Sequence, residues 1–144
     1  MIRLREINAD NFWDIISLTL EKEQEQLIVS NAVSIAQAYV QHECIPLAIY
    51  GGKIPVGFVM YCIDRDDGEY WIYRLMIDKQ YQNKGYGRQT LEQIIEIIKK
   101  DGTHHKIYLG VHINGGASVH LYESMGFVFT AQAFGKEHIM VLEY

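Results

Sequence analysis

Hydrophobic and polar positions along the chain follow two rhythms, and the switches between them mark the elements. Ile2 to Ile7 alternates as an edge strand does. Phe12, Ile15, Ile16 and Leu20 then recur at helical spacing behind Asn8 or Asp10, either of which can cap a helix. A second helix is predicted from about Asn31 to Glu43. Leu47–Tyr50 and Val56–Ile63 flank the turn Gly51-Gly52-Lys53 as a hairpin, and Asp64–Gly68 turns the chain into a further strand, Tyr70–Ile77. Helical spacing returns with Leu91, Ile94, Ile95 and Ile98, opposite a face of Glu92, Gln93, Glu96, Lys99 and Lys100. The two lysines suit a helix C-terminus, and Gly102 ends it. Residues 106–112 read as a strand, Ser118 to Met125 as a short helix stopped at Gly126, and Phe127–Tyr144 as two strands joined at Gly135-Lys136.

This order predicts an α+β domain spanning residues 1–144. Strand 106–112 follows a helical crossover, so it should lie parallel to strand 70–77. The crevice outside the carboxyl ends of such a pair is where ligands bind in open α/β sheets. The connection leaving Ile77 is the run Asp78-Lys-Gln-Tyr-Gln82-Asn-Lys-Gly85-Tyr-Gly87-Arg88. Its glycines let backbone approach a ligand, and the N–H groups at the new helix N-terminus attract anions. No Lys-Ser or Lys-Thr follows the glycines, which excludes a Walker loop, and Thr90 stands where a dinucleotide fingerprint needs a third small residue. What remains, Gln82-x-x-Gly85-x-Gly87, fits either a pyrophosphate cradle or a plain helix cap.

Composition narrows the class. Of 144 residues, 49% are hydrophobic and 22% charged, which argues against disorder and for one core. No apolar run reaches the length of a membrane span, and no signal-peptide core follows Met1, so a cytoplasmic protein without membrane association is expected. A net charge of −5 argues against a nucleic-acid partner. Cys44 and Cys62 lack CxxC spacing and read as buried free thiols, and the six histidines form no metal motif, so no metal is expected. Acidic residues gather in two places: Glu21, Glu23 and Glu25, and Asp64, Asp66, Asp67 and Glu69.

A second motif, Leu121-Tyr122-x-x-x-Gly126-Phe127, follows the glycine run by some forty residues. Together the two resemble the GNAT superfamily of N-acetyltransferases over essentially the whole chain. The resemblance implies a mixed, mostly antiparallel central sheet of six to seven strands with a splayed parallel pair, flanked by about four helices. It also implies acetyl-CoA as co-substrate and direct acetyl transfer to an amine in a ternary complex. The pantetheine arm would lie along the main chain of Leu75, Met76 and Ile77. The pyrophosphate would rest on the amides of Gln82, Asn83, Lys84, Gly85, Tyr86, Gly87 and Arg88, with the Lys84 and Arg88 side chains adding charge-assisted contacts. Tyr122 would donate a proton or hydrogen bond to the departing sulfur.

Two departures from the family pattern stand out. A primary amine must lose its proton before it attacks, at a cost on the order of 4–5 kcal/mol near pH 7. Relatives that acetylate polyamines often carry a carboxylate where this chain has Tyr73. The proton acceptor therefore stays open between Glu69, a first-helix glutamate acting through water, and solvent itself. Before the late helix the family usually has Asn-x-x-Ala, whereas this chain has Asn114 one residue early and Ser118 for the alanine. Asn114 either keeps the cofactor contact on a shifted backbone or loses it, and Ser118 either bonds the cofactor or caps its own turn.

The run Ser17–Gln24 with Val29–Ala38 is similar to the bacterial spermine/spermidine or diamine acetyltransferase branch. In that reading Glu21 and Glu25, with Glu69 and Tyr73, face a polycationic amine. Another small amine, a protein amine, or a non-catalytic acetyl-CoA-binding module are the alternatives. A homodimer is compatible with the family but is not established by the sequence.

Overall fold

In the computed structural model, which describes residues 1–144, thirteen of the chain's segments fall into strands, helices and two short 3-10 turns. The strands are β1 (Ile2–Glu6), β2 (Ile45–Gly51), β3 (Ile54–Ile63), β4 (Tyr70–Ile77), β5 (Lys106–His112), β6 (Val128–Phe134) and β7 (Glu137–Glu143). The helices are α1 (Phe12–Ile16), α2 (Asn31–Val40), α3 (Tyr86–Lys99) and α4 (Gly116–Ser124), and the 3-10 turns cover Glu25–Leu27 and Lys79–Tyr81. One seven-stranded sheet runs in the order β1-β2-β3-β4-β5-β7-β6. Every neighbouring pair is antiparallel except β4 and β5.

The parallel pair is short. It holds only at Tyr70↔Ile107, Trp71↔Tyr108 and Ile72↔Leu109, after which the strands part. A bulge explains the divergence. On β3 the partners of Met60 and Tyr61 are Arg74 and Ile72, so Tyr73 is the extra residue. A bulge bends its strand and increases local twist, and this one sits where β4 leaves β5. It also resets the side-chain alternation: Ile72, Leu75 and Ile77 belong to one core, while Trp71, Tyr73 and Met76 belong to the other.

The two cores lie on opposite faces. The larger is sealed by α3, whose Leu91, Ile94, Ile95 and Ile98 are buried against Val59, Ile107 and Leu109, with Tyr122 and Phe127 completing it. Burying such side chains stabilises the fold by about 1.5–3 kcal/mol each. The smaller core lies beneath α1 and α2 and contains Ile15, Phe58, Met60, Cys44 and Cys62, both cysteines being free and buried. α3 also pins the edge strand: Ile2 N donates to Gln89 Oε1 and Gln93 Nε2 donates to Ile2 O.

Helix boundaries depart from the sequence pattern at several ends, α4 beginning at Gly116 rather than Ser118. α1 stops at Ile16, although the apolar spacing continued to Leu20. Asp78 draws the chain away, since Thr19 N donates to Asp78 Oδ2 at 2.8 Å and Lys79 N donates to Thr19 O at 2.8 Å. α2 closes at Val40, short of Glu43. Neither Asn8 nor Asp10 is the N-cap of α1, which is Asn11 without a side-chain capping bond; Asn8 instead closes the preceding turn, its Oδ1 accepting from Asp10 N and Asn11 N.

Gly57 on β3 is the tightest point of the sheet. A Cβ there would stand 2.3 Å from the Met76 carbonyl oxygen. Gly57→Ala must therefore push β3 from β4, and it is expected to cost about 1–3 kcal/mol and to lower Tm by about 3–10 °C. A thermal melt within 1 °C of the parent would show that this contact does not constrain the strand pair.

Candidate functional site

Because β4 and β5 run parallel, the connections leaving both strands emerge at the same end of the sheet, beyond the point where they part. The first is the glycine loop. Asn83 and Gly85 both have positive φ, 64° and 85°, and Gly85 sits in the left-handed region immediately before α3. The N–H groups of Gln82 through Arg88 donate to nothing in the chain, and the first helical bond nearby is Gln89 N to Gly85 O. Free amides in series at a helix N-terminus form an anion site, strengthened by the positive end of the dipole. They fit the pyrophosphate of the co-substrate that the resemblance implies.

Side chains brace the loop from outside. Gln82 Nε2 donates to Ile77 O at 3.0 Å and to Gln24 Oε1 at 3.0 Å, tying the loop to the end of β4 and to the segment before α2. Buried Asp78 accepts from Gln80 N and Thr19 N. Tyr86 lays its ring against Gly51 of β2, where a Cβ would come within 3.0 Å of it. Lys84 stands over the Tyr81 ring at 5.8 Å. Arg88 bends away from the loop onto α4, its guanidinium donating to Ser124 Oγ at 2.7 Å.

The gap between β4 and β5 has an edge of open main chain. The Ile77 carbonyl points into it, where Gln82 takes it up. Strand alternation places the N–H and C=O of Leu75 on that same edge, and turns those of Met76 toward β3. Leu75 and Ile77 thus present main chain to the gap, while Met76 contributes its side chain to the core under α1 and α2.

α4 brings the second motif to the first. Leu121 Cδ2 lies 3.5 Å from where a Gly87 Cβ would be. The next residue, Tyr122, is buried with its ring edge-on to Phe127 at 5.9 Å between centroids. Burial alone pushes its pKa up to about 12, and no hydrogen bond within the chain contributes. The phenol is therefore a protonated, uncommitted donor throughout the neutral range. Asn114 and Ser118 are exposed at the mouth of the β5–α4 connection, near the same end of the sheet as the loop.

The residues considered for the amine side separate. Tyr73 faces the α1 and α2 side of the sheet, where its hydroxyl donates to Asp64 Oδ2. Burial, and then this bond to Asp64, raise its pKa, so it stays protonated. Glu69 lies at the start of β4, the closed end of the strand pair, close enough to Tyr144 to raise that phenol's pKa behind burial and Asp101. Asp64, Asp67 and Glu69 mostly serve the turn itself: Asp66 N donates to Asp64 Oδ1, Glu69 N to Asp67 Oδ1, and Trp71 Nε1 to Asp67 Oδ2. Glu21, Glu23 and Glu25 are exposed beyond α1, flanking the Gln24 that holds the glycine loop. Sequence patterning did not single out Asp78, Gln24 or Arg74. Arg74, displaced by the bulge, donates to Tyr73 O and Gln37 Oε1.

Comparison with known proteins places this arrangement. Residues 9–127 match the Acetyltransferase (GNAT) family. The chain is 30% identical over 149 residues to the spermine/spermidine N(1)-acetyltransferase of Bacillus subtilis (strain 168), covering 99% of this chain and 98% of that one. It is 31% identical over the same coverage to the probable spermine N(1)-acetyltransferase of Bacillus subtilis subsp. natto. Among solved structures, spermidine N-acetyltransferase from Vibrio cholerae in complex with CoA and spermine shares the fold at a TM-score of 0.77 and 19% identity, covering 99% of this chain and 95% of that one. The free amide row, the parted strands and the two sequence motifs thus belong together, and the chain is a member of the GNAT family of acetyltransferases, enzymes that draw their acetyl group from acetyl-CoA.

Proposed function

We propose that this acetyltransferase acts on a primary amine, specifically a polyamine or diamine, by direct transfer while both substrates are bound. The observation that carries the proposal is the full-length similarity to spermine/spermidine N(1)-acetyltransferases, which extends through the acidic segment before α2. Glu21, Glu23 and Glu25 give that rim a negative field that favours a polycation.

Acetyl-CoA, when bound, supplies the acetyl group activated as a thioester. The chain's own residues do the rest. The amides of Gln82 to Arg88 hold the phosphates, and the open edge at Leu75 and Ile77 orients the arm between the strands. Tyr122 offers its proton to the departing sulfur, from a site that keeps the phenol neutral.

A second reading is favoured by one specific observation. Tyr73 occupies the β4 position where polyamine-acetylating relatives often have a carboxylate, and its hydroxyl is already committed to Asp64. A chain without a working base would bind acetyl-CoA and transfer nothing. Release of free CoA thiol from acetyl-CoA, with spermine, spermidine, putrescine and unrelated amines offered in parallel, separates the two. Turnover concentrated on polyamines is the expected result. Tight acetyl-CoA binding with no turnover on any amine would replace the proposal with the binding module.

A further inference from the structure

We infer that Glu137 is the carboxylate that receives the ammonium group of the acceptor, reaching over Gly110 to the gap between β4 and β5. The inference rests on the amine-acetyltransferase reading above and assigns its specificity to a residue outside both family motifs. Glu137 is the first residue of β7 and pairs with His112, the last residue of β5. With the parallel register fixed at Ile72↔Leu109, Gly110 and His112 lie level with the stretch of β4 that has parted from β5. Ile107, Leu109 and Val111 face the α3 core, so Gly110, His112 and Glu137 face the opposite side, shared with Tyr73. That is the side carrying α1, α2 and the acidic rim.

Glu137 is exposed, with its side chain laid along the strand surface. It folds over Gly110, where a Cβ would meet Oε2 at 3.2 Å and Cδ at 3.4 Å. From there its charge reaches Arg74 across the gap: burial lowers the Arg74 pKa, and Glu137 is the largest influence raising it. No ion pair closes between them: Arg74 donates to Tyr73 O and Gln37 Oε1 and leaves its Nε unbonded. On β5 beside Glu137, His112 Nδ1 is buried and unbonded.

The other carboxylates nearby are committed or displaced. Asp64 is held by Tyr73, Asp78 by Gln80 N and Thr19 N, and Glu69 lies at the closed end. Glu43 faces Arg65 at 3.2 Å and, although its Oε1 has no hydrogen bond, it precedes β2, which β3 and β4 separate from β5. Among the carboxylates carried by the sheet and its turns, Glu137 alone combines a position at the gap, the acceptor side and a carboxylate that accepts no hydrogen bond; the rim glutamates stand beyond α1, off the sheet. A protonated amine entering that side would find there a counter-charge with free lone pairs. The lack of a side chain at position 110 is what lets the carboxylate lie flat.

The test is spermidine binding to the CoA complex by calorimetry, with steady-state turnover in parallel, for the parent, Glu137→Gln, Gly110→Ala and the double variant. Glu137→Gln is expected to weaken spermidine at least tenfold in Kd and KM, leaving the acetyl-CoA KM and Tm unchanged. Gly110→Ala, which displaces the carboxylate, should weaken spermidine several-fold. In the double variant it should add nothing to Glu137→Gln, because the group it displaces is gone. Spermidine affinity within twofold of the parent in Glu137→Gln, or equal losses for acetyl-CoA and spermidine, would overturn the assignment while leaving the proposed function standing. Glu137-dependent binding with no turnover by the parent would overturn the proposed function and keep the assignment. A parent complex that binds no spermidine overturns both.

Discussion

Tyr122→Phe lowers kcat by about a hundredfold, leaves the acetyl-CoA Kd within about twofold and leaves Tm unchanged; that is the expected result. Ring and hydroxyl make separate contributions. The ring is buried against Phe127 in the larger core, and phenylalanine keeps that packing. The hydroxyl has no partner in the chain, so its removal strands no buried donor or acceptor. What is lost is the proton donor alone. Because burial raises the Tyr122 pKa from 10.0 to about 12, the donor form is intact below that range, and any alkaline loss of activity near pH 8 or 9 belongs to another group. Single-turnover kinetics would check the result. A kcat within threefold of the parent would reduce Tyr122 to a packed aromatic.

The parts of this site that could be read from the sequence are those encoded by local backbone chemistry. Gly85 and Gly87 announce a turn that opens a helix, and the stripe Leu91, Ile94, Ile95 and Ile98 announces the face that buries it, so the loop stands where the pattern put it. The crossover forced β4 and β5 to be parallel, and they are. What escaped the pattern depends on distant partners. Asp78 ends α1 through Thr19, a contact spanning 59 residues that no periodicity contains. β7 inserts between β5 and β6, so the last strand lies nearer the site than the one before it. That insertion carries Glu137 to the gap, whereas in the sequence it is merely the residue after a hairpin turn. The bulge at Tyr73 likewise has no signal in Trp71-Ile-Tyr-Arg74, yet it parts the strands and puts Arg74 beside Gln37. Apolar rhythm therefore fixes which face is buried, while strand order and bulges decide which polar groups meet.

Gly87→Ala isolates the ligand's demand on the loop from the fold's. The two loop glycines differ. Gly85 has φ of 85°, where a side chain is strained by about 1–2 kcal/mol, so replacing it disturbs the protein before any ligand arrives. Gly87 is already helical, without positive φ, and a Cβ there meets Leu121 Cδ2 at 3.5 Å and Ile77 Cγ1 at 3.9 Å, both ordinary contacts. Alanine is the better helix former by up to about 1 kcal/mol. Neither conformation nor packing requires glycine at position 87, so a demand for glycine there would have to come from the phosphates of the proposed co-substrate approaching closely. The expected outcome is a Tm equal to or slightly above the parent's, together with an acetyl-CoA Kd raised at least tenfold by calorimetry. Its size follows from the site's construction: displacing the pyrophosphate from one amide also misaligns its bonds to the neighbouring amides, each of which contributes on the order of 1.5–3 kcal/mol when the acceptor is charged. An acetyl-CoA affinity unchanged in a protein of unchanged stability would mean that the phosphates do not sit against the first turn of α3. The free amides of Gln82 to Arg88 would then need another ligand.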